Sequence, residues 1–83
     1  MPNQDEAKRK LLILAIRAKG GITTGSEDLQ IIRAVEAGRI KNRADVSRVL
    51  EESLNKTAGE IHTTFASDDG DRLVDEIVSL LED

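Results

Sequence analysis

Residues 44–65, ADVSRVLEESLNKTAGEIHTTF, decide how this chain folds. Val46, Val49, Leu50, Leu54, Ile61 and Phe65 recur at steps of one, three and four once the methyl-bearing Thr57 is counted. Such steps trace one stripe of an α-helix, whereas a strand would alternate with a period of two. The stretch is therefore expected to form one long third helix over about residues 43–66. Its outer face would carry Arg48, Glu51, Glu52, Asn55, Lys56 and Glu60, with Glu52 and Lys56 paired at i,i+4. Gly59 is the weak point. Glycine costs about 1 kcal/mol against alanine inside a helix, so a bend or break is expected there.

Just upstream, Arg39, Lys41 and Arg43 alternate through GRIKNR. Asn42 can cap the third helix, with Asp45 near its positive end. A second helix is expected from about Glu27 to Ala37. Thr24 and Glu27 have capping-box spacing, Ser26 is a rival cap, and Ile31, Ala34 and Val35 form the apolar stripe,. Gly38 should end it, with Ile40 folding back onto its last turn. The first helix should start at Asn3, with Glu6 reaching back to complete the cap, and stop at Gly20 and Gly21. Ala7, Leu11, Leu14, Ala15 and Ala18 make one stripe, and Leu12, Ile13 and Ile16 widen it. That width implies burial on more than one side, in the centre of a bundle or at an oligomer interface.

Downstream, Ala66 to Asp71 reads as an Asp-rich turn containing Gly70. The last helix, DRLVDEIVSLLED, then presents Leu73, Val74, Ile77, Val78, Leu80 and Leu81. Glu82 and Asp83 oppose its dipole, so that end should fray. The expected fold is all-α: one compact four-helix domain over residues 1–83, bundled or orthogonal.

Composition narrows the function classes. At 83 residues the core is near the lower limit of self-sufficiency, which favours a homodimer,. Phe65 is the one aromatic residue, so the core must be aliphatic. Without cysteine there is no disulfide, thiolate metal site or thiol nucleophile,. The longest apolar run, Leu11 to Ile16, falls far below the roughly 18 residues a membrane span needs,. Lys8, Arg9 and Lys10 precede it as in a secretory leader, but the run is too short and Arg17 and Lys19 close it,. A soluble, untargeted, cytoplasmic protein with no membrane partner is expected. Residues 1–43 hold nine Lys and Arg against five Asp and Glu, a balance of +4. Residues 44–83 hold three against eleven, a balance of −8. The two halves should attract when packed antiparallel.

Candidate sites are few. Residues 29–40, Arg43–Leu50 and Leu54–Phe65 can be laid out as the leading, positioning and recognition helices of a DNA-binding motif. In RADVSRVLEESLNKTAGEIHTT, the small Ser47 and the polar Asn55, Lys56 and Thr57 resemble the helix-turn-helix of repressors. Arg39, Lys41, Arg43, Arg48 and Lys56 would then contact phosphates. Against this, Glu51 stands where the turn wants glycine, and Glu52 where an apolar residue belongs. A helix running straight through Glu51–Ser53, the expected course, defeats that register. Gly20 and Gly25 have phosphate-loop spacing, but Ser26 replaces the lysine and a helix precedes the loop,. Asp69, Gly70, Asp71 and Glu76 match part of a calcium loop, yet Phe65 and Arg72 occupy positions that forbid it,. His62 is the one imidazole, near the edge of the apolar stripe, so any nucleophile has a single histidine available as its base,.

The sequence thus points to a small non-enzymatic helical module for protein–protein interaction: an inhibitor, adaptor or chaperone-like regulator with no cofactor or metal. Its expected contact is the acidic face of Glu51, Glu52 and Glu60, and its partner is another protein or a second copy. The alternative is a dimeric DNA-binding regulator reading through residues 42–64.

Overall fold

Local hydrogen bonding starts and stops each helix. In the computed structural model, which describes residues 2–82 apart from the side chain of Asp68, five helices follow in order. They are α1 (Gln4–Lys19), α2 (Gly25–Glu36), α3 (Arg43–Leu54), α4 (Ala58–Phe65) and α5 (Asp68–Leu81). Asn3 caps α1 by accepting from the Glu6 N–H at 3.2 Å. Glu6 does not reach back. It pairs with Arg9 and Lys10, while the Asn3 N–H donates to the Leu80 carbonyl on α5. Thr24 and Glu27 form the full capping box at the start of α2, so Thr24 is the cap and Ser26 lies inside the helix.

The expected long third helix over 43–66 is two helices, which makes five in all. The chain is straight through Glu51–Ser53, as expected, and then turns at Asn55. Asn55 adopts φ +54°, ψ +48°, a left-handed conformation that asparagine tolerates better than most residues,. Its N–H and that of Lys56 both return to the Glu51 carbonyl and close the end of α3. Thr57 then caps α4, its hydroxyl accepting from the Glu60 N–H at 3.3 Å. Gly59 therefore lies within the first turn of α4 and breaks nothing. The expected Glu52–Lys56 pair is also lost, because Lys56 lies beyond the end of α3. Its ammonium sits 3.5 Å from Glu60 instead.

The last connection is shorter than expected. Ser67 caps α5, so Asp69, Gly70 and Asp71 belong to that helix. Its C-cap is Glu82; Asp83 lies outside the described residues.

Packing is antiparallel along the chain's two longest helices. α1 packs most extensively against α5, and Lys10 lies 2.9 Å from Glu76 across that contact. α2 lies along the other flank of α1, joined by Lys8–Glu36 at 2.9 Å and Lys19–Glu27 at 2.7 Å. α3 bridges α2, α4 and α5. Leu11, Leu14, Ile31, Val35, Val46, Leu50, Ile61, Val74 and Ile77 are fully buried, giving an aliphatic core to which every helix contributes. Burying each such side chain contributes about 1.5–3 kcal/mol. Phe65 packs against this cluster from its edge. The basic first half meets the acidic second half at Lys10–Glu76 and at Arg43, whose guanidinium lies 2.5 Å from both Asp71 and Asp75. No helix among the described residues is long and apolar enough to cross a membrane.

Candidate functional site

Among the described residues, two surface features stand out once the core is closed. The first arises where α2 ends. Gly38, at φ +70°, terminates the helix in a Schellman arrangement: its N–H donates to the Val35 carbonyl and the Arg39 N–H to the Ala34 carbonyl,. The chain then drops Ile40 into the core, so Arg39 and Lys41 on either side of it point outward. Asn42 caps α3 through the Asp45 N–H, and the Asp45 carboxylate accepts the Lys41 N–H at 2.9 Å. This rigid connection forms one end of a cleft of about 510 Å³ between α2 and α3. Arg33, Arg39, Lys41 and Arg48 line it alongside Asp45 and Glu52, with Ala34 and Val49 as apolar wall.

Asp45 is already committed. Lys41 N–H on one oxygen and, more weakly, Arg48 at 2.8 Å on the other hold its carboxyl below the usual carboxylate range, against the opposing effect of partial burial. Arg33, Arg39 and Lys41 enter no ion pair among the described residues.

The second feature is aliphatic. Ile13 and Ile16 on α1 are 40% and 46% exposed, Leu29 on α2 is 45% exposed, and Ile22 in the loop between them is 91% exposed. The Lys8–Glu36 and Lys19–Glu27 pairs hold α1 and α2 antiparallel, with Ile16 and Leu29 in the half of the hairpin near the loop. The broad face of α1 read from the sequence is thus covered on its inner side, by Leu11, Leu14 and Ala15, and left open on its outer side.

The residues expected to act together are dispersed. Glu51 is half-buried and accepts from the Ser47 hydroxyl at 3.0 Å. Glu52, its neighbour, is turned about 100° around the helix and lines the cleft,. Glu60 is on α4 beside Lys56. Of the five expected phosphate contacts, Arg39, Lys41 and Arg48 converge on the cleft. Arg43 is held by Asp71 and Asp75; partial burial works against its charge, but the two carboxylates outweigh that and raise its pKa. α3, the Asn55–Thr57 connection and α4 do make a helix, turn and helix, with the second helix starting at Ala58 instead of Leu54. α4 carries no lysine or arginine, and its exposed residues include Ala58, Gly59, Glu60, His62 and Thr63.

Asp69, Gly70 and Asp71 are helical, which rules out their use as a calcium loop. Among the described residues no group of three or more His, Asp or Glu could hold a metal ion. Sequence reasoning overlooked Arg33 and Ile22. Arg33 stands outside the apolar stripe of α2, and only the approach of α3 places it in a cleft. Ile22 stands among Gly20, Gly21, Thr23 and Thr24, where a lone aliphatic residue has no helical stripe to join. Comparison with known proteins finds no matching family model, no similar curated protein and no similar solved structure.

Proposed function

We propose that this protein is a small non-enzymatic interaction module whose α1–α2 hairpin docks an acidic amphipathic helix of another protein. The half-exposed Ile16 and Leu29, on the two helices of the hairpin, carry this reading. Exposed aliphatic side chains on two neighbouring helices of a small domain favour a contact surface, since burying them would gain about 25 cal/mol per Å².

Charge selects the partner. On α1, Arg9 and Arg17 stand one turn to either side of Ile13 and both are exposed, Arg9 lying 3.3 Å from Glu6 and Arg17 in no ion pair among the described residues. An aliphatic stripe between arginines fits a helix whose own aliphatic stripe is flanked by carboxylates. A second copy fits less well, because a two-fold contact on this face would bring like arginines together. The acidic trio Glu51, Glu52 and Glu60 is not the contact in this reading, since it does not form one face. DNA reading through residues 42–64 is not favoured either, because α4 offers no cation to a groove.

The test is capture and cross-linking with the full chain. A partner should cross-link from an acidic helix to α1 or α2. It should be lost in an Ile16→Asp, Leu29→Asp double variant and retained when Glu51, Glu52 and Glu60 are changed to Lys. Retention by the first variant, or loss in the second alone, overturns the proposal. Light scattering that shows a stable dimer disrupted by Ile16→Asp would assign the face to self-association instead.

A further inference from the structure

We propose that the α2–α3 cleft is a binding site for a phosphate-bearing ligand, gripped by Arg33, Arg39, Lys41 and Arg48. Four cations line this one cleft against two carboxylates. Asp45 spends one oxygen on the Lys41 N–H and the other on Arg48, so among the described residues that line the cleft Glu52 is the carboxylate left to offset the remaining charge. The imbalance does not come from a shortage of acids. The chain has sixteen Asp and Glu to twelve Lys and Arg. Elsewhere Lys8, Lys10, Lys19, Arg43 and Lys56 each lie within 4 Å of a carboxylate. Crowding like charges is unfavourable in the free protein, and an anion seated among them relieves it.

The number of cations favours phosphate over a simple carboxylate, because a phosphate monoester carries up to two charges and three acceptor oxygens where a carboxylate has one charge and two oxygens. Three guanidinium groups present planar forks that match phosphate oxygens in pairs, and Lys41 adds a point charge. Local packing sets their backbone positions. Arg39 and Lys41 are fixed on either side of the buried Ile40, Arg33 sits on the last full turn of α2, and Arg48 is anchored by Asp45. Beyond the charges, Gln30 and Ser53 supply an amide and a hydroxyl, and Ala34 and Val49 an apolar wall. Ser53 is the buried polar residue among the described ones, 7% exposed, and it lines this cleft. A volume of about 510 Å³ lies within the range of roughly 300–1,000 Å³ typical of small-ligand sites,. A phosphate ester with its organic portion against Ala34 and Val49 satisfies both parts of the lining. The source can be a free nucleotide or the backbone of a nucleic acid, which present the same group.

Backbone amide NMR separates these outcomes. Pyrophosphate, AMP and a short DNA duplex are titrated separately into the protein at constant ionic strength, with sodium chloride as the control. The amides of Gly38, Arg39, Lys41, Val49 and Ser53 should shift and saturate. An Arg33→Gln, Arg39→Gln double variant should bind at least about tenfold more weakly, since it removes two of the four cations of the lining,. Both changes are on exposed side chains, and an unchanged circular dichroism spectrum verifies the fold. Saturation by AMP or pyrophosphate without tighter binding of the duplex assigns a free phosphate ester. Tighter, steeply salt-dependent binding of the duplex at the same amides assigns nucleic-acid phosphates. Absence of shifts with every probe, shifts reproduced by chloride, or undiminished binding by the variant overturns the site.

Discussion

The Thr64 carbonyl at the end of α4 stands so close above Gly70 in α5 that a side-chain carbon has no room between them. A Cβ at position 70 would also lie 2.8 Å from the Ser67 hydroxyl oxygen, which accepts the Gly70 N–H and donates to that same carbonyl. The α4–α5 joint is thus closed by the absence of a side chain, and Gly70 itself is buried. Gly70→Ala should destabilise the protein by about 1–3 kcal/mol, the usual range for overpacking. Thermal unfolding measures it. An unchanged midpoint would show that the joint has room for the added carbon.

Asn55 gives a test in which the sign decides. If residues 43–66 were one helix, Asn55→Ala would stabilise it, because alanine has the higher helix propensity. With Asn55 left-handed at φ +54°, the same change should cost about 1 kcal/mol, and Asn55→Gly should cost nothing or stabilise. Urea unfolding of the two variants distinguishes the cases.

Gly59 should behave in the opposite way to Gly70. An added Cβ there meets only open space and the Thr57 hydroxyl at 4.0 Å, and its φ is not positive. Gly59→Ala is expected to raise stability by roughly 0.5–1 kcal/mol, which corresponds to a few degrees in Tm for a domain of this size. A loss of stability would mean that the α4 start needs glycine for a reason the geometry does not contain.

Acid should weaken the fold through two identifiable carboxylates. Lys19, with the Thr24 N–H, holds Glu27 below the ordinary carboxylate range, and the Lys41 N–H, with Arg48, does the same for Asp45. A pKa lower in the folded state than in the unfolded chain means that the unfolded chain binds protons first. Their contribution is therefore complete above the unfolded-state pKa and lost as the pH falls through and below the ordinary carboxylate range. Chemical denaturation against pH should show this acid limb, and Glu27→Gln with Asp45→Asn should flatten it while lowering stability at neutral pH. An acid limb of equal slope in that variant would assign the effect to other carboxylates.

The aliphatic surface should be dispensable for folding. Ile22 touches the core nowhere and is 91% exposed, so Ile22→Ser should leave the unfolding free energy within about 0.5 kcal/mol,. Leu50→Ala, in the fully buried α3 stripe, should cost about 2–5 kcal/mol,. Similar costs for both would mean that Ile22 is covered in solution.

Most helix boundaries were legible because they are set within a turn or two of chain. Asn3, Thr24 and Asn42 accept the N–H three residues on, and Gly20 and Gly38 take positive φ, as their residue types and spacing implied. The break after Leu54 was hidden by arithmetic. Leu54 and Ile61 are seven residues apart, close to two helical turns, so the apolar stripe stays in phase on both sides of the turn,. The signal that could have revealed it was Thr57 with Glu60 three residues later, preceded by an asparagine able to take αL.

The sequence by itself determined an all-helical chain with an aliphatic core, because periodicity and capping act over a few residues. Only the tertiary structure decided which surface was left over. Burial of α1 depends on how many neighbours reach it, and none covers the outer side of Ile16. Arg39, Lys41 and Arg43 look equivalent in GRIKNR, yet the packing of α5 gives Arg43 two carboxylates, and the approach of α3 to α2 gathers the other two with Arg33 and Arg48. Charge pairing acts across space between residues some thirty positions apart, so no local pattern can assign it.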